Sequence, residues 1–91
     1  MLTMKGYVYI IKSQKSSKFY IGSTIDTARR LIEHNTGKTI ATKYAAPWVM
    51  VFSKQYATIR EARQMEYKLK KQKSRTLLER IVKEQKLDMG L

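Results

Sequence analysis

The chain has 91 residues, enough for one domain, 1–91, with a small hydrophobic core. It has no cysteine, which excludes disulfides and thiolate metal sites, and one histidine cannot by itself form a multi-ligand zinc site. Nineteen Lys and Arg residues against seven Asp and Glu residues give a formal net charge of +12. This excess of positive charge indicates a polyanionic partner, and nucleic acid is the commonest polyanion.

No segment of the sequence has the pattern of a membrane span or an export signal. No apolar run approaches the roughly 20 residues that cross a bilayer. The segment from Met1 to Gly6 lacks the long apolar core of a secretion signal. We therefore expect a cytoplasmic protein without a membrane partner.

A β-hairpin is predicted at the start of the chain. Two runs rich in β-branched and aromatic residues, 7–11 and 19–22, flank a polar stretch over 13–18. Because side chains alternate between the faces of a strand, one register gives an apolar face made of Val8, Ile10, Phe19 and Ile21. The same register gives an opposite face made of Tyr7, Tyr9, Tyr20 and Gly22. Three phenols and a glycine on one face of the sheet are typical of a surface that a ligand can contact.

A helix and a further strand are predicted after the hairpin. Ser23 and Asp26 have the spacing of a capping signal, and Gly37 is placed to end the helix. The predicted inward stripe of this helix is Ala28, Leu31, Ile32 and Asn35. Five consecutive apolar residues follow Pro47, and this run, 48–52, predicts a strand that is covered on both faces and central in its sheet.

Two more helices complete the predicted order β-β-α-β-α-α. Thr58 and Glu61 form a capping box for the first of them, and Thr76 and Glu79 indicate the start of the second. Their predicted inward residues are Ile59, Ala62, Met65 and Leu69 in the first, and Leu78, Ile81 and Val82 in the second. The order predicts an α+β domain in which helices flank a small, mainly antiparallel three-stranded sheet.

Three polar residues on these helices are candidates for chemistry. Glu66 falls at the edge of an apolar stripe, where a carboxylate must be paired, protonated or bound to a cation. The alternatives are a metal ion or an ion pair with Lys70, one helical turn away. Arg30 and His34 share a helix face, where Arg can clamp a phosphate and His can move protons. They could equally be surface side chains, with Arg30 paired to Asp26.

Taken together, these residues resemble the GIY-YIG nuclease superfamily. The resemblance rests on Tyr7-Val8-Tyr9, on Tyr20-Ile21-Gly22-Ser23-Thr24, on Arg30 and His34, and on Glu66 followed by Lys70 and Lys71. It extends over about 6–73. The chain is most similar to short stand-alone bacterial members, which are related to the nuclease domain of the excision-repair incision subunit.

The resemblance implies roles for the matching residues. It implies a catalytic set of Tyr9, Tyr20, Arg30, His34 and Glu66, in which Glu66 is the single carboxylate that binds Mg²⁺ or Mn²⁺. It also implies that backbone and substrate approach closely at Gly22, beside Ser23. The implied activity is metal-dependent hydrolysis of phosphodiester bonds in DNA, directed by structure rather than sequence. A separate targeting protein is a possible further partner.

The sequence departs from the family pattern at two places. Tyr7 replaces the glycine of the first triplet, although Gly6 precedes it. Some members carry a late active-site asparagine, and no asparagine follows Asn35. The second departure bears on substrate positioning and rate.

The implied mechanism uses one divalent metal. Metal on Glu66 and the guanidinium of Arg30 would stabilise the charge that develops on the phosphate. Tyr9 would orient or deprotonate the attacking water, aided by Tyr20 or His34. Since a free phenol is a poor base at neutral pH, nearby cations would have to lower the pKa of Tyr9 for it to accept a proton.

Basic residues around these positions predict contacts with phosphates that do not read sequence. The candidates are Lys43, Lys70 and Lys71. Two alternatives to a nuclease stay open. One is a nucleic-acid-binding module of the same fold with little or no cleavage. The other is an unrelated small basic RNA-binding protein, which would account for the charge but not for the tyrosine face or the placement of Glu66.

Overall fold

The computed structural model describes residues 4–87. Its elements are β1 (Gly6–Ser13), β2 (Phe19–Thr24), α1 (Thr27–Asn35), a 3-10 turn (Ile40–Thr42), β3 (Trp48–Tyr56), α2 (Ile59–Gln72) and α3 (Arg75–Glu84). This confirms the predicted α+β class and the order β-β-α-β-α-α. None of the helices in this part of the chain is both long and apolar enough to cross a membrane.

The sheet is antiparallel, with strand order β2-β1-β3. Tyr9 pairs with Gly22 and Ile10 with Ile21, so the predicted register and its two faces are confirmed. The prediction that the third strand is central is wrong. β1 is central because it pairs with β2 on one side and β3 on the other, which leaves both of those strands at edges.

A register shift in the β1–β3 pairing explains the continuous apolar run of β3. Ile10 pairs with Phe52 and Ile11 pairs with Met50, so Val51 is an extra residue at a β-bulge. The bulge reverses the alternation of side chains along β3. Trp48 is therefore buried with the Tyr9 face and Phe52 with the Ile10 face, so an edge strand can carry large apolar residues toward both faces.

The main hydrophobic core lies between the Ile10 face of the sheet and the helices α2 and α3. Its buried members are Val8, Ile10, Ile21, Phe52, Ala62, Leu69 and Ile81. The side chains that pack around them include Phe19, Ile59, Met65, Leu77, Leu78 and Val82. The predicted inward residues of both helices are thus confirmed. The Thr58 cap is also confirmed, since its side chain accepts from the Glu61 N–H at 3.1 Å.

Two predicted helix starts are corrected. The cap of α1 is Asp26, whose carboxylate accepts from the Arg29 N–H at 3.0 Å, while Ser23 still belongs to β2. The cap of α3 is Ser74, which accepts from the Leu77 N–H at 3.1 Å. In both cases a capping oxygen two or three residues away competes with the predicted one, and strand pairing or helix packing selects between them.

The predicted inward stripe of α1 is also wrong. Ile32 is 62% exposed, and the fully buried residue of this helix is His34. Of the predicted stripe, Leu31 packs against the cluster around Tyr9 and Asn35 hydrogen-bonds the backbone of Trp48, while Ala28 and Ile32 are exposed. The helix is rotated so that its polar side chains face inward, which is tolerated because His34 is hydrogen-bonded there.

Candidate active site

A buried chain of hydrogen bonds joins the first strand to α1. Tyr9 is 1% exposed and His34 is fully buried. The Tyr9 hydroxyl lies 2.7 Å from Nε2 of His34, and Nδ1 of His34 lies 2.8 Å from the Thr42 hydroxyl. Because both ring nitrogens have partners, the imidazole is held in one orientation beneath the tyrosine face.

Burial fixes the protonation of this pair. Desolvation raises the pKa of Tyr9 to about 12, against the opposing influence of Arg30. Desolvation, reinforced by the charge of Arg30, lowers the pKa of His34 to about 4. Both rings are therefore neutral near pH 7. The sequence required cations to lower the pKa of Tyr9 if this phenol is the base, and the structure shows that burial outweighs them.

Gly22 makes room for the Tyr9 ring. A Cβ at this position would overlap the Tyr9 hydroxyl and the ring carbons beside it. The space that a side chain would fill on β2 is therefore occupied by the phenol from β1. Gly22 is itself buried, and the close contact that its missing side chain permits within the protein is with Tyr9.

Arg30 lies at the opening of this arrangement. It is 31% exposed and donates to the Glu33 carboxylate at 2.8 Å, rather than to Asp26. That hydrogen bond raises the pKa of Arg30, and it lowers the pKa of Glu33. Arg30 also acts on the Tyr9 hydroxyl, where it opposes the rise in pKa. A permanently charged, partly exposed guanidinium is thus placed beside the tyrosine face.

Tyr20 stands between the buried pair and solvent. Its ring meets the His34 ring edge-on at 5.0 Å between centroids and the Trp48 ring at 6.4 Å. Tyr20 is partly exposed, and its hydroxyl makes no hydrogen bond with any residue in 4–87. Lys70 places its Nζ 5.6 Å from the ring centroid. Tyr20 is therefore a partly exposed phenol of the tyrosine face, as is Tyr7, whose hydroxyl donates to Gln55 instead.

Glu66 approaches the same edge strand from the opposite face of the sheet. Its side chain is 20% exposed, its Oε1 accepts a short hydrogen bond from the Ser23 hydroxyl, and its Oε2 pairs with Lys70 at 2.6 Å. Since Ser23 follows Gly22 in β2 and faces the other way, the carboxylate and the tyrosine face are separated by the thickness of the sheet. Lys70 spans this strand edge and contacts both sides.

The donor chemistry at Glu66 suits a hard divalent cation. Mg²⁺ prefers oxygen ligands and keeps several waters, so one carboxylate and one hydroxyl can hold it together with phosphate oxygens. In residues 4–87 there is no group of three or more His, Cys, Asp and Glu side chains that would form a closed metal site. The Lys70 ammonium lies where a cation would approach Oε2, so metal binding requires this lysine to move.

The other two lysines expected to bind substrate lie apart from the carboxylate. Lys43 follows the 3-10 turn and places its Nζ 5.5 Å from the Tyr44 ring. Lys71 lies on the outer face of α2, with its Nζ 5.9 Å from the Tyr67 ring. Of the three lysines, only Lys70 contacts the residues around β2.

Sequence reasoning missed the residues that support His34. Thr42 bonds its imidazole, and the indole N–H of Trp48 donates to the Thr42 carbonyl at 3.0 Å. The Asn35 side chain accepts from the Trp48 backbone N–H at 2.6 Å and donates to its carbonyl at 3.0 Å. These contacts join segments distant in sequence, and no spacing signal in the sequence indicates them.

The sequence was compared with known proteins. The pattern of the GIY-YIG catalytic domain matches residues 5–81. The chain belongs to the GIY-YIG family. It is 38% identical over 72 residues to the UPF0213 protein YazA of Bacillus subtilis (strain 168), covering 78% of this chain and 72% of that protein. It is 37% identical over 67 residues to the UPF0213 protein SH2523 of Staphylococcus haemolyticus, covering 72% and 80% of the two chains.

Membership in the GIY-YIG family confirms the resemblance drawn from the tyrosine strands, Arg30 and Glu66. The family consists of nucleases, which are hydrolases, so the chain has a nuclease-type fold and function and its substrate is nucleic acid. Nucleases of this family generally depend on a divalent metal.

Proposed function

We propose that this protein is a metal-dependent endonuclease that hydrolyses phosphodiester bonds in DNA, selecting its substrate by structure rather than by sequence. The observation that carries the proposal is the convergence at β2 of a guanidinium, an exposed phenol and a carboxylate. Arg30 and Tyr20 reach this strand from one face of the sheet and Glu66 from the other. We expect the enzyme to act in the cytoplasm.

Glu66, with the Ser23 hydroxyl, is the proposed holder of Mg²⁺ or Mn²⁺. The bound ion would supply charge neutralisation at the phosphate oxygens. Lys70 keeps the carboxylate paired until then, at a distance of 2.6 Å. After Lys70 is displaced from Glu66 by the metal ion, the Lys70 ammonium would still lie near the edge of β2, where it could contact a phosphate as a point charge.

Arg30 and Tyr20 are the proposed groups that contact the reacting atoms. In hydrolysis the water oxygen bonds to phosphorus and gives up a proton to solvent, while one P–O ester bond breaks and its leaving oxygen takes up a proton from solvent. Negative charge grows on the remaining phosphate oxygens during this step. The Arg30 guanidinium would bind those oxygens, and this interaction would strengthen as their charge develops. The Tyr20 hydroxyl has no partner among the described residues and can orient the water.

Tyr9 and His34 are proposed as positioning residues rather than as groups that meet the substrate. The Tyr9 side chain is 1% exposed, so attacking water has little access to it. This differs from the role that the resemblance implied for Tyr9. The pair instead holds the Tyr20 ring and the Arg30 guanidinium in place from beneath, through ring packing and through the Tyr9 hydroxyl.

The test is cleavage of labelled flapped, branched and plain duplex DNA in Mg²⁺ or Mn²⁺. We expect wild type to cut, and Glu66→Gln and Arg30→Ala each to lose about a hundredfold or more in rate, as when one charge-stabilising group is removed. Matched controls lie on the same helices. Glu61→Gln removes an exposed carboxylate from α2, and Arg29→Ala removes an exposed guanidinium from α1.

The outcome also separates the nuclease from a binding module of the same fold. The ion pair between Glu66 and Lys70 is compatible with such a module, because it satisfies the carboxylate without a metal ion. If wild type binds these DNAs but leaves them uncut in both metals, or if the control variants lose as much activity as Glu66→Gln, the endonuclease proposal is wrong.

A further inference from the structure

A pocket opens beside Tyr20 on the tyrosine face of the sheet. It has a volume of about 530 Å³ and lies between the hairpin loop, 13–18, and the segment that precedes β3. Its floor is formed by Tyr20 and Trp48, and its walls include Ile40, Tyr44 and two lysines, Lys15 and Lys18. The pocket therefore adjoins the phenol that the proposed reaction uses.

The walls of the pocket are tied together by hydrogen bonds between the two loops. The Ser13 hydroxyl donates to the Ala45 carbonyl at 2.5 Å, and the Gln14 N–H donates to the Pro47 carbonyl at 2.9 Å. Lys15 Nζ donates to the Tyr44 carbonyl at 3.3 Å. A pocket whose loops are joined in this way is formed before a ligand arrives, so binding costs little ordering of the protein.

Two large apolar side chains at the mouth of the pocket are exposed. Ile40 is 89% exposed and Tyr44 is 79% exposed. The Tyr44 ring has the Lys43 ammonium 5.5 Å from its centroid. Large apolar groups in solvent, flanked by cations and next to a site for phosphodiester chemistry, match a ligand that has both a flat apolar face and negative charge.

We propose that this pocket binds an unpaired nucleobase adjacent to the scissile phosphate, stacked on Tyr44, with neighbouring phosphates held by Lys15 and Lys18. Inside a duplex the face of each base is covered by its neighbours, so away from the duplex ends only an unpaired base can offer its face to the tyrosine. The pocket thus selects flaps and single-stranded tails over continuous duplex. This inference rests on the proposed nuclease function, because it names the substrate class of that site.

The test measures binding without cleavage. Glu66→Gln protein in EDTA is titrated with a duplex that carries a short single-stranded tail, and 2-aminopurine replaces the first unpaired base. We expect the emission of 2-aminopurine to change on binding and the tailed duplex to bind more tightly than blunt duplex. Adding Tyr44→Ala should weaken binding of the tailed duplex by about fivefold or more and remove the emission change. Tyr44→Phe, which keeps the ring, should retain both.

Tyr67 provides a matched control. It is 66% exposed and also has a lysine ammonium near its ring, Lys71 at 5.9 Å, but it lies on the outer face of α2. Tyr67→Ala should leave the emission change intact. Equal binding of tailed and blunt duplex, or equal losses in Tyr44→Ala and Tyr67→Ala, would overturn the pocket assignment. Neither result depends on cleavage, so failure of the nuclease proposal itself would appear separately, in the activity assay.

Discussion

The contacts of His34 assign its protons. The Thr42 hydroxyl can donate to the Thr39 carbonyl at 3.4 Å, which leaves its oxygen free to accept from Nδ1–H of His34 at 2.8 Å. Nε2 then accepts from the Tyr9 hydroxyl at 2.7 Å. This arrangement agrees with the raised pKa of Tyr9, which keeps its proton, and with the lowered pKa of His34, which stays neutral.

Stability should therefore depend on pH through His34. Its pKa is about 4 in the folded protein, against an ordinary value of 6.5, so the unfolded chain takes up the proton first as the pH falls. The stabilisation is fully present above pH 6.5 and is lost progressively down to pH 4. At about 1.4 kcal/mol per pKa unit, the loss is as much as about 3 kcal/mol. Urea unfolding at pH 7 and at pH 4.5 measures it.

The variant His34→Gln serves as the control for this pH dependence. Glutamine cannot titrate, so the fall in unfolding free energy between the two pH values should be smaller in the variant than in wild type. The comparison cancels the carboxylates common to both proteins, among them Glu33. Parallel pH profiles for the two proteins would show that His34 is not the group responsible.

Lys70 should compete with metal for Glu66. Its Nζ lies 2.6 Å from Oε2, and its side chain is 48% exposed, so the pair is weak enough to exchange. We expect Lys70→Met to tighten Mn²⁺ binding by about two- to fivefold, the factor that corresponds to an exposed ion pair. Calorimetric titration without DNA measures this, with Glu66→Gln as the variant that should abolish binding. Unchanged or weaker Mn²⁺ binding in Lys70→Met would contradict the competition.

At the scale of the elements, local patterns predicted the hairpin and the two C-terminal helices. Strand alternation fixed the face shared by Ile10 and Ile21, because a shift of one residue would divide the apolar residues between the two faces. The stripe with Ala62 and Leu69 fixed the inward face of α2 and thereby placed Glu66 at its edge. These features depend on residues that are within a few positions of one another, or on two strands that are joined by a short loop.

The features that the sequence did not predict depend on tertiary contacts. The apolar run of β3 suggested a central strand, but the bulge at Val51 lets an edge strand bury Trp48 and Phe52 on opposite faces. The inward rotation of α1 depends on partners for His34 that come from two other segments. For the site, the resemblance supplied the candidate residues, while the roles proposed for Tyr9 and Tyr20 rest on their burial, which the sequence pattern did not indicate.

The pairing of β1 with β2 makes Gly22 sensitive to any side chain. Because a Cβ at this position would overlap the Tyr9 hydroxyl, Gly22→Ala must displace the phenol from His34. We expect a loss of about 1–3 kcal/mol in unfolding free energy, as for a buried polar group deprived of its partner, together with reduced cleavage. The double variant Gly22→Ala with Tyr9→Phe removes the hydroxyl but keeps the ring carbons that the Cβ also overlaps, so it should recover little of the stability. Full stability in Gly22→Ala alone would contradict the close packing.

At the scale of the whole molecule, positive charge surrounds the chain and does not by itself locate the nucleic-acid surface. The outer face of α2 carries four cations without an ion pair among the described residues, Arg60, Arg63, Lys68 and Lys71. Lys54 and Lys86 line the opposite side, at the β3 edge of the sheet. A net charge of +12 therefore predicts binding to a polyanion, but the surface that nucleic acid contacts has to be inferred from the position of the candidate active site.

Salt dependence should separate these surfaces. Each phosphate contact adds about 0.7 to 0.9 to the slope of log affinity against log salt concentration. If DNA lies across the β2 edge, Lys15→Gln with Lys18→Gln should lower the slope of wild type by about one to two, since both lysines line the pocket beside Tyr20. The matched pair Lys54→Gln with Lys86→Gln removes the same charge from the β3 edge and should leave the slope unchanged. Equal decreases in both variants would mean that DNA responds to the overall field of the protein and not to a surface centred on β2.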